Sequence, residues 1–447
     1  MSAVAWALCS YLFLATALYL SNGHDQVFAG VLVLVSLVAA GSGFFGAPFP
    51  GGASERRVSA LAFSLALASS TASLLRAPGD FVCASLAPYY ALSTLALGLV
   101  SSYAPDVLRG KAAPRWLAQI RPYCLLAVGF ALGAWMLHAT PSPRIDVWPI
   151  HQQGARALLS GRSPYQPGVI ATGDTFHQGK VIETYGYPPM NALLTTVAFA
   201  LTGETRWAVL VAIVVNGYLL WRIARRGREA ASWPDLLLAC SLLHPRGLFV
   251  LEQAWGDPLG LPFLSGFALA AMSGRRRLAA VLCGLLCSTK QQFAIYGLIL
   301  VRVSGIGVSG ALLAFATAAA TYLPFVVTSP QRTWHALVQF HAQGAFRGDS
   351  LSLTAMIAHW GLILPSWVGM VSTLAFLPLA YRAPHRAGAL LLASSVAFLV
   401  FYVLGRQAFC NYYYVVCQTL LLAAAALAIE ARPPDPPSSE PGSIRSP

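Results

Sequence analysis

Apolar runs close to the length of a bilayer crossing recur from one end of this chain to the other, and they leave the backbone few choices. A lipid-exposed segment must satisfy its own N–H and C=O groups, so each long run has to be helical. The runs lie near 3–20, 27–47, 57–75, 81–103 and 119–138, and again near 206–222, 234–250, 258–273, 306–328, 365–381, 386–405 and 409–430. Only 10% of the 447 residues are charged, against about 25% in soluble domains. The pattern predicts an all-α, polytopic membrane protein, a bundle of about 12–14 transmembrane helices. The first run has neither a basic leader nor a convincing cleavage site, so it reads as a retained span rather than a signal peptide.

The formal net charge is +13, and in such a chain Lys and Arg collect in cytoplasmic loops and orient it. Glu55-Arg56-Arg57 and the group Arg109, Lys111, Arg115 and Arg121 put the N-terminus inside and the stretch 139–188 outside. If 189–203 also crossed, Arg222, Arg225, Arg226, Arg228 and Arg275–Arg277 would all lie outside. Reading 189–203 as a short re-entrant or surface helix restores the rule. A broken pair then surrounds Lys290, a second outer loop covers 329–350, and 351–364 forms another re-entrant piece. The Pro/Ser-rich tail from Arg432 is expected to be disordered. No Gly-rich phosphate loop follows a strand pattern, and a nucleic-acid partner is not expected. Cys283 and Cys287 share a helix face but have no His or carboxylate to complete a metal set, so packing explains them.

With that topology the outer face gathers an unusual polar set. The first outer loop offers Asp146, His151, Gln152, Arg156, Tyr165 and the turn Tyr185-Gly186-Tyr187-Pro188-Pro189. Glu252, Gln253 and Asp257 end two spans, and Lys290, Gln291 and Gln292 interrupt an apolar segment. The second loop adds His335, His341, Arg347 and Asp349, and Arg406, Gln407 and Asn411 precede the last span. Ionisable groups at membrane depth are expensive, so each calls for a partner, water or a ligand. Carboxylates beside several cations suit an anionic substrate. If the donor is a sugar on a lipid phosphate, the leaving group is already a weak base and needs no general acid, unlike the alkoxide of glycoside hydrolysis. One carboxylate base then suffices, with cations stabilising the departing phosphate. Asp146 fits the base, and Lys290, His341, Arg347 and Arg406 fit a phosphate clamp. His151, Tyr165, Tyr187, Glu252, Asp257 and Gln291 fit the walls of the substrate cavity.

The string from Asp146 to Tyr165 (DVWPIHQQGARALLSGRSPY), followed by YGYPP at 185–189, resembles the polyprenyl-phosphate-mannose-dependent mannosyltransferases of glycosyltransferase family 87, within the GT-C superfamily. The piece GLLCSTK ending at Lys290 is similar to that family's apolar-helix-to-Lys segment. The resemblance covers roughly residues 119 to 430 and extends to several GT-C families, so it implies GT-C more firmly than mannose. It implies an inverting hexosyltransferase, with Asp146 as the catalytic acid of the first large outer loop. The implied partners are a polyprenyl-phosphate sugar donor, a lipid or glycan acceptor and membrane lipids. The implied location is a bacterial inner membrane, with the active site facing the periplasm. The organisation that follows is a four-helix extension at 1–105, a catalytic membrane domain at 106–431 and the tail at 432–447. Asp146 is followed by Val147 and Trp148, not by the second acid that some relatives carry two residues on, which speaks against a bound divalent metal. No cofactor is expected.

Each residue also has a plainer role open to it. Asp146 can cap the helix that follows, a role compatible with catalysis. The tyrosines suit an interface belt, Lys290 can snorkel, and Glu252 or Asp257 can form a structural ion pair with Lys290 or an outer Arg. At the level of the whole chain, the rivals are a transporter or flippase of lipid-linked sugars and a scaffold subunit of an envelope complex.

Overall fold

Helices account for almost every element of the computed structural model, which describes residues 1–172, 182–227, 232–344, 346–365 and 367–431. Among these the only β pairing is an isolated bridge between His24 and Ser350. Eight helices are long and apolar enough to cross a membrane: Ser2–Ser21, Val27–Phe44, Glu55–Leu75, Ala87–Leu108, Arg115–Ala139, Arg206–Ala224, Gly307–Thr328 and Cys410–Glu430. Six shorter apolar helices complete the bundle: Pro189–Thr202, Trp233–Leu242, Asp257–Met272, Gln291–Leu300, Val368–Ala380 and Ala387–Val403. The chain is an all-helical, multi-pass membrane protein. Arg228, part of the first large loop and the tail from Arg432 lie outside the described residues.

Lipid is as apolar as Leu, so helices here associate through close packing and buried polar contacts. Cys410–Glu430 is the central helix, with Ala423, Ala424, Ala425 and Ala426 all buried. Gly388 packs on it so closely that a Cβ would lie 2.7 Å from the Leu427 amide nitrogen. Hydrogen bonds between helices add direction: Ser10 to Ser36 at 2.8 Å, Ser241 to Gln418 at 2.7 Å, and Tyr296 to Thr419 at 2.6 Å.

The two ends of the bundle differ in chemistry. One end carries the basic loops. There Arg121 pairs with Asp106 at 2.6 Å, Trp221 and Tyr103 bond Asp235, Arg56 reaches the Leu108 carbonyl, and Arg302 meets His385. The other end carries Asp146. Pro189–Thr202 has both of its ends there: Met190 N–H bonds the Ser288 carbonyl at 3.2 Å, while Glu204, just past Thr202, accepts from Trp148. This helix therefore does not cross, and Arg206–Ala224 runs away from the Asp146 end, so that Arg225 stacks over Trp221 at the basic end. The polypeptide also breaks at Ser288–Lys290, leaving Arg276–Cys287 and Ala294–Leu300 as a hairpin whose tip points to the Asp146 end.

The first helices are knitted into the rest. The turn after Ser2–Ser21 gives Gly23 a φ of +79°, and its carbonyl accepts from Leu351 N–H at 3.2 Å. Asp25 N–H bonds the Asp349 carbonyl at 2.9 Å, and the Tyr11 hydroxyl bonds the Cys240 carbonyl at 2.8 Å.

Candidate active site

Asp146 caps Val147–Leu159, accepting the Val147 N–H at 2.8 Å. The helix is amphipathic: Val147, Ile150, His151, Gly154 and Ala155 recur at helical spacing and are buried, against the Pro189–Thr202 helix. Gly154 has to be Gly, because a Cβ would lie 2.7 Å from the Tyr185 ring. Asp146 is 8% exposed, and its charge acts through space on Arg347, Tyr187 and Tyr412. Capping therefore coexists with a charge that reaches Arg347 through space.

A second polar centre sits beside it. Lys290 Nζ lies 3.0 Å from Asp257 Oδ2, and Asn411 donates to the same oxygen at 2.7 Å. The ammonium also faces the rings of Tyr187, 5.0 Å from the centroid, and Tyr412, 5.5 Å away. Such contacts are strong when desolvated, and they hold the cation between two aromatic walls. Asp257 Oδ1 is buried with no hydrogen-bond partner among the described residues. Of the two outer carboxylates considered from sequence, Asp257 is the one that pairs with Lys290. Glu252 stands apart, accepting the N–H groups of Asp80 at 2.7 Å and Phe81 at 2.8 Å.

The YGYPP turn links the two centres. Tyr165 donates to the Tyr187 carbonyl at 2.8 Å, and the Gly186 carbonyl accepts from Gln291 at 2.8 Å and His341 Nε2 at 2.6 Å. His151 lies against Tyr187, with ring centroids 4.6 Å apart, and its Nδ1 is 3.3 Å from the Tyr185 hydroxyl. Burial, with the Lys290 ammonium adding to it, pushes the His151 imidazole down to about 3, so it is neutral at ordinary pH. Burial first, and then the charges of Asp146 and Asp257, hold the Tyr187 hydroxyl well above its usual range.

The second loop supplies the remaining cations. Arg347 is bidentate on Asp349, at 2.8 and 2.7 Å, and its own N–H bonds the Arg406 carbonyl. Arg406 donates to the carbonyls of His341 and Ala342. His341 and Arg406 thus hold loop backbone, while Arg347 is braced by Asp349, with the charge of Asp146 a lesser influence on it.

Two features escaped the sequence reading. Tyr412 forms half of the aromatic clasp on Lys290, yet beside Asn411 it looks like any interface tyrosine. Glu204 accepts from Trp148 at 3.1 Å, Gln152 at 3.1 Å and the Arg206 guanidinium at 2.9 Å, and Arg206 continues to the Thr140 hydroxyl at 2.9 Å. This network locks the Asp146 helix to two spans. Its only signal in sequence is an acid two residues before an Arg at the start of a span. Among the described residues no three His, Cys, Asp or Glu side chains gather as a metal set.

No protein-family model matches the chain. Over 160 residues it is 31% identical to a polyprenol-phosphate-mannose-dependent alpha-(1-2)-phosphatidylinositol mannoside mannosyltransferase of Mycobacterium tuberculosis, a match covering 32% of this chain and 35% of that protein. The chain thus spans about a third of the length of the curated relative it matches. Among solved structures it is similar to ArnT of Cupriavidus metallidurans bound to undecaprenyl phosphate, with a TM-score of 0.47 and 18% identity over 72% of this chain and 61% of that one. The apo state of the same protein gives 0.44 and 17%, over 70% and 60%.

Proposed function

We propose that this chain is a GT-C glycosyltransferase that moves a hexose, mannose, from a polyprenyl phosphate carrier to a lipid or glycan acceptor. The reaction takes place on the outer face of a bacterial cytoplasmic membrane. The observation that carries the reading is Lys290, paired with Asp257 and held between the Tyr187 and Tyr412 rings at the same end of the bundle as the helix-capping Asp146. The mannosyltransferase likeness supports the donor class.

In this reading Asp146 takes the proton of the acceptor hydroxyl as that oxygen attacks the anomeric carbon. The bond from that carbon to the phosphate oxygen breaks, its electron pair leaves with the polyprenyl phosphate, and the configuration inverts. Arg347 and Lys290 face the charge that develops on the phosphate, at a site where they are already oriented, so little reorganisation is needed. The neutral His151, Tyr187 and Gln291 line the sugar side, with Asp257 orienting Lys290. His341 and Arg406 act by fixing the loop that bears Arg347, and no step requires a metal.

Asp146→Asn tests the reading directly. With radiolabelled polyprenyl phosphate mannose and a membrane lipid extract, kcat should fall by about 10²–10⁴, the contribution of a positioned base, while donor binding survives. Transfer within about tenfold of the parent protein would remove Asp146 from the chemistry. Movement of labelled lipid across vesicles with no transfer would favour a flippase. A polyprenyl phosphate glucose donor, run in parallel, tests the sugar.

A further inference from the structure

Two guanidinium groups at the Asp146 end belong to neither centre of the candidate site. Arg76 follows Glu55–Leu75 and lies over the Tyr19 ring, 5.4 Å from its centroid. Arg246 is 2% exposed, donates to the Ala77 carbonyl at 3.1 Å and lies over the Phe249 ring at 4.3 Å. The two act on each other as like charges. Among the described residues neither has a carboxylate within ion-pairing range, and Arg246 Nε has no hydrogen-bond partner. Glu252, which accepts the Asp80 and Phe81 amides, and Asp80 itself act on Arg246 as opposite charges, and neither forms an ion pair with Arg76. Arg76, whose guanidinium lies over the Tyr19 ring with no carboxylate in ion-pairing range among the described residues, is the cation left at a membrane end for an anion to meet.

Directly below Arg76 runs a groove of about 420 Å³ between Ser2–Ser21 and Glu55–Leu75, reaching from Ser64 to Leu75 and Tyr19. Its floor includes Ala68, Thr71 and Ala72, small side chains at helical spacing that leave a trough. The Ser64 and Thr71 hydroxyls turn back to the carbonyls of Ala60 and Leu67, both at 2.9 Å, so the trough offers an apolar surface. From residue 64 to 75 a helix rises about 17 Å, close to the reach of one extended acyl chain.

We infer that this groove and its two cations form a binding site for an anionic phospholipid of the leaflet at the Asp146 end. One acyl chain lies along the trough, and the phosphodiester sits at Arg76 with Arg246 behind it. The occupant is amphipathic because the site is: cations at the rim, small apolar side chains below, and a length suited to one chain. The inference does not depend on the transferase reading, and it gives the helices ahead of residue 105 a ligand of their own.

The test is native mass spectrometry of the full-length protein in mild detergent, with phosphatidylglycerol or phosphatidylcholine of matched chains added. The parent protein should retain phosphatidylglycerol preferentially. Arg76→Gln should lower that retention about fivefold, the factor one basic contact to an anionic lipid supplies, and leave phosphatidylcholine unchanged. Ala68→Phe, which fills the trough, should lower both; if it does not fold, Ser64→Leu serves the same purpose at an exposed position. Equal retention of the two lipids, retention unmoved by the variants, or complete displacement by polyprenyl phosphate would overturn the proposal. Transfer activity measured on the same samples stands as a separate readout, so either reading can fail alone.

Discussion

Asn411 Nδ2 lies 2.7 Å from Asp257 Oδ2, the same oxygen that pairs with Lys290 Nζ. One carboxylate oxygen thus joins the tip of the broken hairpin to the first turn of the central helix, while its sister oxygen is left buried and unpartnered among the described residues. Asp257 is fully buried and Lys290 is 7% exposed, so the pair is largely desolvated.

Breaking that pair from one side should be severe. Asp257→Ala leaves an ammonium buried without its counter-ion, and the expected loss is about 3–5 kcal/mol. Thermal melting in detergent should show it as a large fall in midpoint. The double variant Asp257→Leu with Lys290→Met removes both charges and should recover most of the stability, yet remain inactive in transfer. Recovery of both properties together would mean that Lys290 serves packing alone.

The His151 imidazole provides a pH signature. Its pKa in the folded protein is lowered to about 3, against 6.5 for an ordinary His. The unfolded chain takes up the proton first, so the stabilisation is complete above pH 6.5 and is lost progressively as pH falls from there toward about 3. At pH 5 the loss from this one group is about 2 kcal/mol. Melting midpoints measured between pH 7.5 and 4.5 should therefore fall more steeply in the parent protein than in His151→Asn. Parallel curves for the two would show that His151 does not titrate in this way.

The spans were legible because length and apolarity alone decide what can cross a bilayer. The non-crossing helix at 189–203 was legible for a different reason: a re-entrant or surface helix there keeps Arg225 and Arg275–Arg277 on one side, and Pro189–Thr202 has both ends at the Asp146 end. The pairing within the polar set was not legible. Arg347 and Arg406 are equivalent cations in sequence, and what separates them is a neighbour: Asp349 for one, the His341 and Ala342 carbonyls for the other. Glu252 and Asp257 differ in the same way, since the amides of Asp80 and Phe81 come from a loop between two spans, 171 residues or more away in sequence. Periodicity reports faces of helices, and it carries no information on which faces meet.

Gly23 offers a test of how the first hairpin supports the site. Its φ of +79° disfavours any side chain, and a Cβ there would collide with the Cys410 amide nitrogen, next to Asn411. Gly46, with φ of +73°, has nothing within 4 Å of a Cβ. Gly46→Ala should therefore cost only the left-handed strain of about 1–2 kcal/mol. Gly23→Ala adds the collision and should lower the melting midpoint clearly further. Equal shifts in the two variants would mean that the hairpin turn yields without disturbing the helix that carries Asn411.

Arg347 gives the sharpest separation of binding from architecture, and the prediction rests on the proposed transfer reaction. Its guanidinium is planar and bidentate on Asp349, which aims the remaining N–H groups, and the charge of Asp146 acts on it through space. Lys cannot reproduce that fork. Arg347→Lys should keep the fold, because the pair with Asp349 is substantially exposed and such pairs contribute only about 0–1 kcal/mol. It should nevertheless lower kcat/KM by about tenfold or more, as expected when an oriented donor to developing charge is lost. Asp349→Asn leaves the guanidinium in place but unbraced, so its effect should have the same sign and be smaller. If Asp349→Asn proves the more damaging of the two while melting is unchanged, the acid takes part in the chemistry and Arg347 is its support.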